Sequence, residues 1–123
     1  MAELQVEGDE LVMHLSIAEK LGGVHGDLRV PVSAVRGVEV LPDAHGPADG
    51  GIKAGTRIAG TIEYGTIWRA GRKIFAAVHP NTPRGVRVVL DGSGYSEWIV
   101  GCADPETVAQ TIAATLTGGT PAA

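Results

Sequence analysis

Residues 61–102 constrain the fold more than any other part of the chain. Four strand-like segments follow one another there: Thr61–Trp68, Lys73–His79, Val86–Asp91 and Ser96–Gly101. The residues between them are turn formers, namely Ala70-Gly71-Arg72, then Pro80-Asn81-Thr82-Pro83 with Gly85, then Gly92-Ser93-Gly94. The last segment runs directly into a helix whose start is written in the sequence. Asp104 is a good N-cap, Pro105 suits the first helical position where its missing N–H costs nothing, and Glu106 favours the positive helix end. Val108, Ile112 and Leu116 recur every four residues and form one apolar stripe, and Gly118-Gly119 ends the pattern. The spacing predicts a helix over residues 105–117 and a frayed tail over 118–123. Burying the three large stripe residues contributes about 5–8 kcal/mol before ordering entropy. A meander closed by one amphipathic helix predicts an α+β, mainly β domain, plugged at one end.

The first half adds further strands. Leu4 and Val6 alternate with Glu3, Gln5 and Glu7; after Gly8-Asp9-Glu10, Leu11, Met13 and Leu15 alternate with Val12 and His14. Period-2 patterning on both sides of a glycine–acid turn predicts a β-hairpin with one buried face. Ser16-Ile17-Ala18-Glu19 has capping-box spacing, and Gly22-Gly23 is a helix stop, so a short helix is predicted near residues 17–21. His25–Val32 and Val35–Leu41 read as two more strands, with Pro31 confined to a strand end or an edge because it lacks a ladder donor. Residues 42–60, rich in Gly, Ala and Pro, read as a long irregular loop.

Length and composition set the outer bounds. At 123 residues the chain fits a single domain, 1–123, with one core. The 18 glycines and 7 prolines fall mostly between apolar runs, as a β-rich fold with many turns requires. No window approaches the length of a membrane-spanning helix, and the N-terminus carries neither a basic nor an apolar leader region. With one cysteine, Cys102, no internal disulfide framework can form. A soluble cytoplasmic protein is therefore expected.

Charge is arranged in blocks. Residues 1–49 hold nine acids against Lys20, Arg29 and Arg36, a net of −6. Residues 53–87 hold Lys53, Arg57, Arg69, Arg72, Lys73, Arg84 and Arg87 against Glu63 alone, a net of +6. Residues 91–123 hold four acids and no base, a net of −4. Acidic and basic strands lying side by side would pair across the sheet; the alternative is an anion-binding face.

The layout resembles the pleckstrin-homology-like (PH-like) superfamily, in its bacterial members. The run Arg29-Val30-Pro31-Val32-Ser33-Ala34-Val35-Arg36-Gly37-Val38-Glu39-Val40 is similar to their strand–proline–turn–strand element. Trp98-Ile99-Val100-Gly101-Cys102-Ala103-Asp104-Pro105-Glu106 is similar to their last strand entering an Asp-Pro helix start. The resemblance spans roughly residues 4–117 and rests on structural motifs. It implies a PH-like barrel of about seven antiparallel strands with a C-terminal capping helix, and a non-enzymatic binding module. The chain departs from that pattern in its helical insertion at 16–21 and in lacking a lysine–arginine pair at the first hairpin, so phosphoinositide-type binding is not expected.

Residues that carry chemistry are sparse. His14, His25, His45 and His79 never approach metal-ligand spacing, so no metal site is expected. Cys102, at the end of an apolar strand, reads as a small buried hydrophobe rather than a nucleophile. Gly92-Ser93-Gly94 lies between two strands, where a nucleotide loop would precede a helix. No cofactor is expected. The strongest ligand-binding candidates are Arg69, Arg72, Lys73, Arg84 and Arg87, flanked by Trp68 and Phe75. An acidic pI near 5.5 and few aromatics argue against nucleic acid. The leading expectation is a non-catalytic binding or protein-interaction module, with an unidentified protein partner or with a second copy across an exposed sheet edge. The alternative is a binder of a small anionic ligand through residues 42–60 and the basic meander. A third expectation is an enzyme built on His79 and the nearby arginines.

Overall fold

The computed structural model describes residues 3–15, 28–44, 52–58, 62–69, 71–78, 84–92 and 94–118. The segment expected to hold the short helix near 17–21 lies outside the described residues, as do His25, His45 and His79; of the tail expected to fray over 118–123, Gly118 is helical and the rest lies outside the described residues.

The N-terminal hairpin forms as expected, but β2 is buried on both faces, Val12 as fully as Leu11 and Met13. Strands β1 (Glu3–Glu7) and β2 (Glu10–His14) form an antiparallel hairpin in the register Glu3↔His14 to Glu7↔Glu10. Gly8 takes φ +65° at the turn, a conformation that suits glycine. Strand β3 (Leu28–Pro31) adds to β2 and buries Leu28 and Val30 while Arg29 and Pro31 face outward. Pro31 stands at a strand end on a sheet edge, where its missing donor is harmless. A 3₁₀ turn at Val32–Ala34 then leads into β4 (Val35–Leu41).

The second sheet contains β4, β5 (Ile52–Ile58), β6 (Ile62–Arg69), β7 (Arg72–Val78), β8 (Gly85–Leu90) and β9 (Glu97–Gly101), in the order β4-β8-β9-β7-β6-β5. Three expectations need correction. First, residues 52–58 are not irregular: they pair with β6 without a break from Ile52↔Trp68 to Ile58↔Ile62. Backbone pairing overrides the low strand propensity of Ala54 and Gly55. Second, the described residues form nine strands in two sheets, not closed into one barrel of about seven. Third, the strands are not all antiparallel. The chain leaves β7, places β8 one position away, and returns β9 into the gap, parallel to β7 and antiparallel to β8. The physical reason lies in β9 itself. Trp98, Ile99 and Val100 are all 0% exposed, and a strand apolar on both faces belongs at the centre of a sheet.

Two apolar clusters flank the larger sheet. On one face Phe75, Val88, Trp98 and Val100 pack with Leu11, Met13 and Val30 of the small sheet and with Ile112. On the other, Leu41, Ile67, Ile74, Val78 and Ile99 pack with Ala44. Helix α1 (Pro105–Gly118) lies mainly against β4 and starts as its sequence predicts. The Thr107 amide donates to Asp104 Oδ1 at 3.3 Å, and Thr107 Oγ1 donates to Asp104 Oδ2 at 2.7 Å. These bonds hold the Asp104 carboxyl below its ordinary pKa, the side-chain bond contributing most. Of the apolar stripe, Ile112 is buried and Val108 and Leu116 are partly buried against the first cluster. Among the described residues no helix is long and apolar enough to cross a membrane.

Candidate functional site

Alternation along paired strands brings four charged residues to one face of the larger sheet. Glu39 on β4 stands opposite Arg87 on β8; Arg87 is in register with Ile99 on β9, two residues after Glu97. Glu97 is in register with Ile74 on β7, two residues after Arg72. Glu39, Arg87, Glu97 and Arg72 thus form a ladder of alternating sign across four adjacent strands. Arg87 Nη1 donates to Glu39 Oε1 at 2.5 Å, and Arg72 Nη2 donates to Glu97 Oε2. Arg87 Nε lies 3.0 Å from Glu97 Oε1 without forming a hydrogen bond, so that contact is Coulombic.

The centre of the ladder is the part removed from water. Glu97 is 2% exposed, whereas the Arg72 and Arg87 side chains are 53% and 31% exposed. A buried carboxylate needs partners, and here two guanidinium groups supply them while keeping contact with solvent. The arrangement neutralises charge, so that Arg72 and Arg87 already have acidic partners.

The remaining candidates are dispersed. Arg84 pairs with Glu106 in the first turn of α1, and its carbonyl accepts from the Cys102 amide at 2.9 Å, tying the helix start to the approach to β8. Lys73 stands opposite Trp68 on the other face from Arg72, with its Nζ 4.7 Å from the centre of the Tyr95 ring. That ring meets Phe75 edge-on at 6.0 Å, and its hydroxyl lies 3.2 Å from Thr66 Oγ1. Arg69 is in register with Arg72 across β6 and β7. Every arginine whose side chain is described has an acidic neighbour: Arg29 has Glu10, Arg36 has Asp91, Arg72 has Glu97, Arg84 has Glu106, and Arg87 has Glu39. The structure therefore separates Lys73 and Arg84 from the Arg72–Arg87 pair rather than gathering all of them.

Cys102 is buried at the end of β9, where burial raises its thiol to a pKa of about 11. A nucleophilic thiol needs the opposite shift. Among the described residues no group of three or more His, Cys, Asp or Glu side chains could hold a metal ion.

Sequence reasoning missed Glu97, Glu39 and Tyr95. Glu97 had a legible signal, a lone acid at the head of the otherwise apolar strand EWIVG. The partnering of Glu39 and Tyr95 depends on strand order and had no local signal. The fold also leaves β1, β3, β4 and β5 as edge strands, each hydrogen-bonded to a strand on one side only among the described residues. No protein-family model, curated protein or solved structure matches the chain.

Proposed function

We propose that the protein is a non-catalytic, PH-like interaction module of a reducing compartment, which engages a protein chain rather than a small anion. The ladder is the observation that carries this reading, since Glu39 and Glu97 already occupy two of the candidate arginines, Arg72 and Arg87. The PH-like part of the proposal rests on the resemblance of residues 29–40 and 98–106 to that superfamily. The edges of β1 and β5 supply main-chain groups through which such a module can bind by strand addition.

The deciding experiment is thermal melting in phosphate against chloride at equal ionic strength. A one-site ligand at about 100 times its Kd stabilises by about 2.7 kcal/mol, a readily visible rise in Tm. The expected result is no phosphate-specific rise. A saturable rise would replace this reading with the anion-binding one.

A further inference from the structure

Two of the four edge strands, β1 and β5, carry matched and opposite charge. β1 is Glu3-Leu4-Gln5-Val6-Glu7, with acids four residues apart and hence on one face. Glu3, Gln5 and Glu7 are exposed, and Leu4 and Val6 are half-buried. β5 is Ile52-Lys53-Ala54-Gly55-Thr56-Arg57-Ile58, with cations at the same spacing. Among the described residues neither Glu3 nor Glu7 faces a lysine or arginine: Glu3 accepts from Gln5, and Glu7 meets His14 at 2.5 Å.

An exposed edge can be paired by another copy of the same edge or by a different one. Centred antiparallel pairing of β5 with β5 would set Lys53 opposite Arg57. The same pairing of β1 with β1 would set Glu3 opposite Glu7. Like charges directly opposed destabilise both arrangements. Pairing β1 with β5 sets Glu7 opposite Lys53, Gln5 opposite Gly55 and Glu3 opposite Arg57. The charge pattern thus disfavours the two like-edge pairings and favours the unlike one.

We propose that the outer edge of β1 in one copy pairs antiparallel with the outer edge of β5 in a second copy, joining the three-stranded sheet of one to the six-stranded sheet of the other. This deepens the interaction-module reading by naming a second copy of the chain as the partner, and it rests on that reading. The contact is heterologous, so each copy presents both halves of it, and a dimer or a longer assembly forms according to the rotation between copies.

Sedimentation velocity over a concentration series at low salt tests it, with a charge-swap design. The parent should show a mass that rises with concentration and falls back when salt is added. Glu3→Lys with Glu7→Lys should stay monomeric, as should Lys53→Glu with Arg57→Glu, because each variant opposes like charges at every contact. Mixing the two variants, or combining all four changes in one chain, should restore association. Restoration by mixing separates a lost interface from lost folding, and circular dichroism of each variant checks the latter directly. A parent that stays monomeric to its solubility limit overturns the inference, leaving the interaction-module reading to the phosphate experiment. A parent that associates regardless of either swap, or swaps that fail to rescue each other, also overturns it.

Discussion

Arg72 on β7 reaches across to the carboxylate of Glu97 on β9, and that carboxylate lies almost wholly out of water while the guanidinium does not. The asymmetry sets the direction of its mutational effects. Removing Arg72 leaves a buried charge with the Coulombic contact from Arg87, whereas neutralising Glu97 frees Arg72 to turn to solvent and leaves Arg87 bonded to Glu39.

Arg72→Ala should therefore destabilise by about 1–3 kcal/mol in urea unfolding, the range for an under-satisfied buried charge. Arg72→Ala combined with Glu97→Gln should lose clearly less than the sum of the single changes, because the second change removes the group the first one strands. Strict additivity would show that the two side chains do not communicate.

Ile112 is the buried member of the α1 stripe and belongs to the core between the sheets. Ile112→Asp should leave the chain unfolded or insoluble, since an unpaired buried charge costs several kcal/mol against a total stability of about 5–15 kcal/mol. Ile112→Ala should fold but lose about 2–5 kcal/mol. A parent-like melting curve for Ile112→Asp would mark the helix as peripheral.

What the sequence made legible was local. The helix start at Asp104-Pro105 and the β1–β2 hairpin need only neighbouring residues to form, and the structure has both. Strand β5 was hidden because Ala54 and Gly55 carry little strand preference of their own; its ladder to β6 supplies the order. The insertion of β9 beside β7 is a non-local pairing, and only the two-faced burial of Trp98-Ile99-Val100 hints at it. The ladder was half legible. Regional charge blocks implied cross-strand pairing, but the identity of Glu97 and Glu39 as partners depends on that same strand order.

Gly85 on β8 stands opposite Gly101 on β9. A Cβ there would run into the Val100 carbonyl oxygen and lie 2.9 Å from its carbon and 3.0 Å from the Gly101 Cα, all backbone atoms of a buried central strand. Relief requires prying the two strands apart, so Gly85→Ala should cost at least the roughly 1–3 kcal/mol of an overpacked core site. Gly37 on β4 has open space where its Cβ would be, and Gly37→Ala should be neutral or slightly stabilising by reducing unfolded-chain entropy. Comparable melting temperatures for the two variants would contradict the close approach.

Cys102 gives a pH signature with a definite sign. The residue is 7% exposed, its thiol donates to the Val100 carbonyl at 3.5 Å, and burial moves the thiol pKa from 9.0 up to about 11. Folding therefore favours the protonated thiol. That contribution is fully present below pH 9.0 and is lost as pH rises toward about 11, because the unfolded chain releases this proton first. Other groups titrate over the same window, so the measurement is a difference. The urea midpoint of the parent should fall more steeply with pH across that interval than the midpoint of Cys102→Ala. At neutral pH a thiol-specific reagent should modify the native protein far more slowly than the urea-unfolded chain. Parallel pH profiles for the two proteins, or rapid native modification, would place the thiol in water rather than in the core.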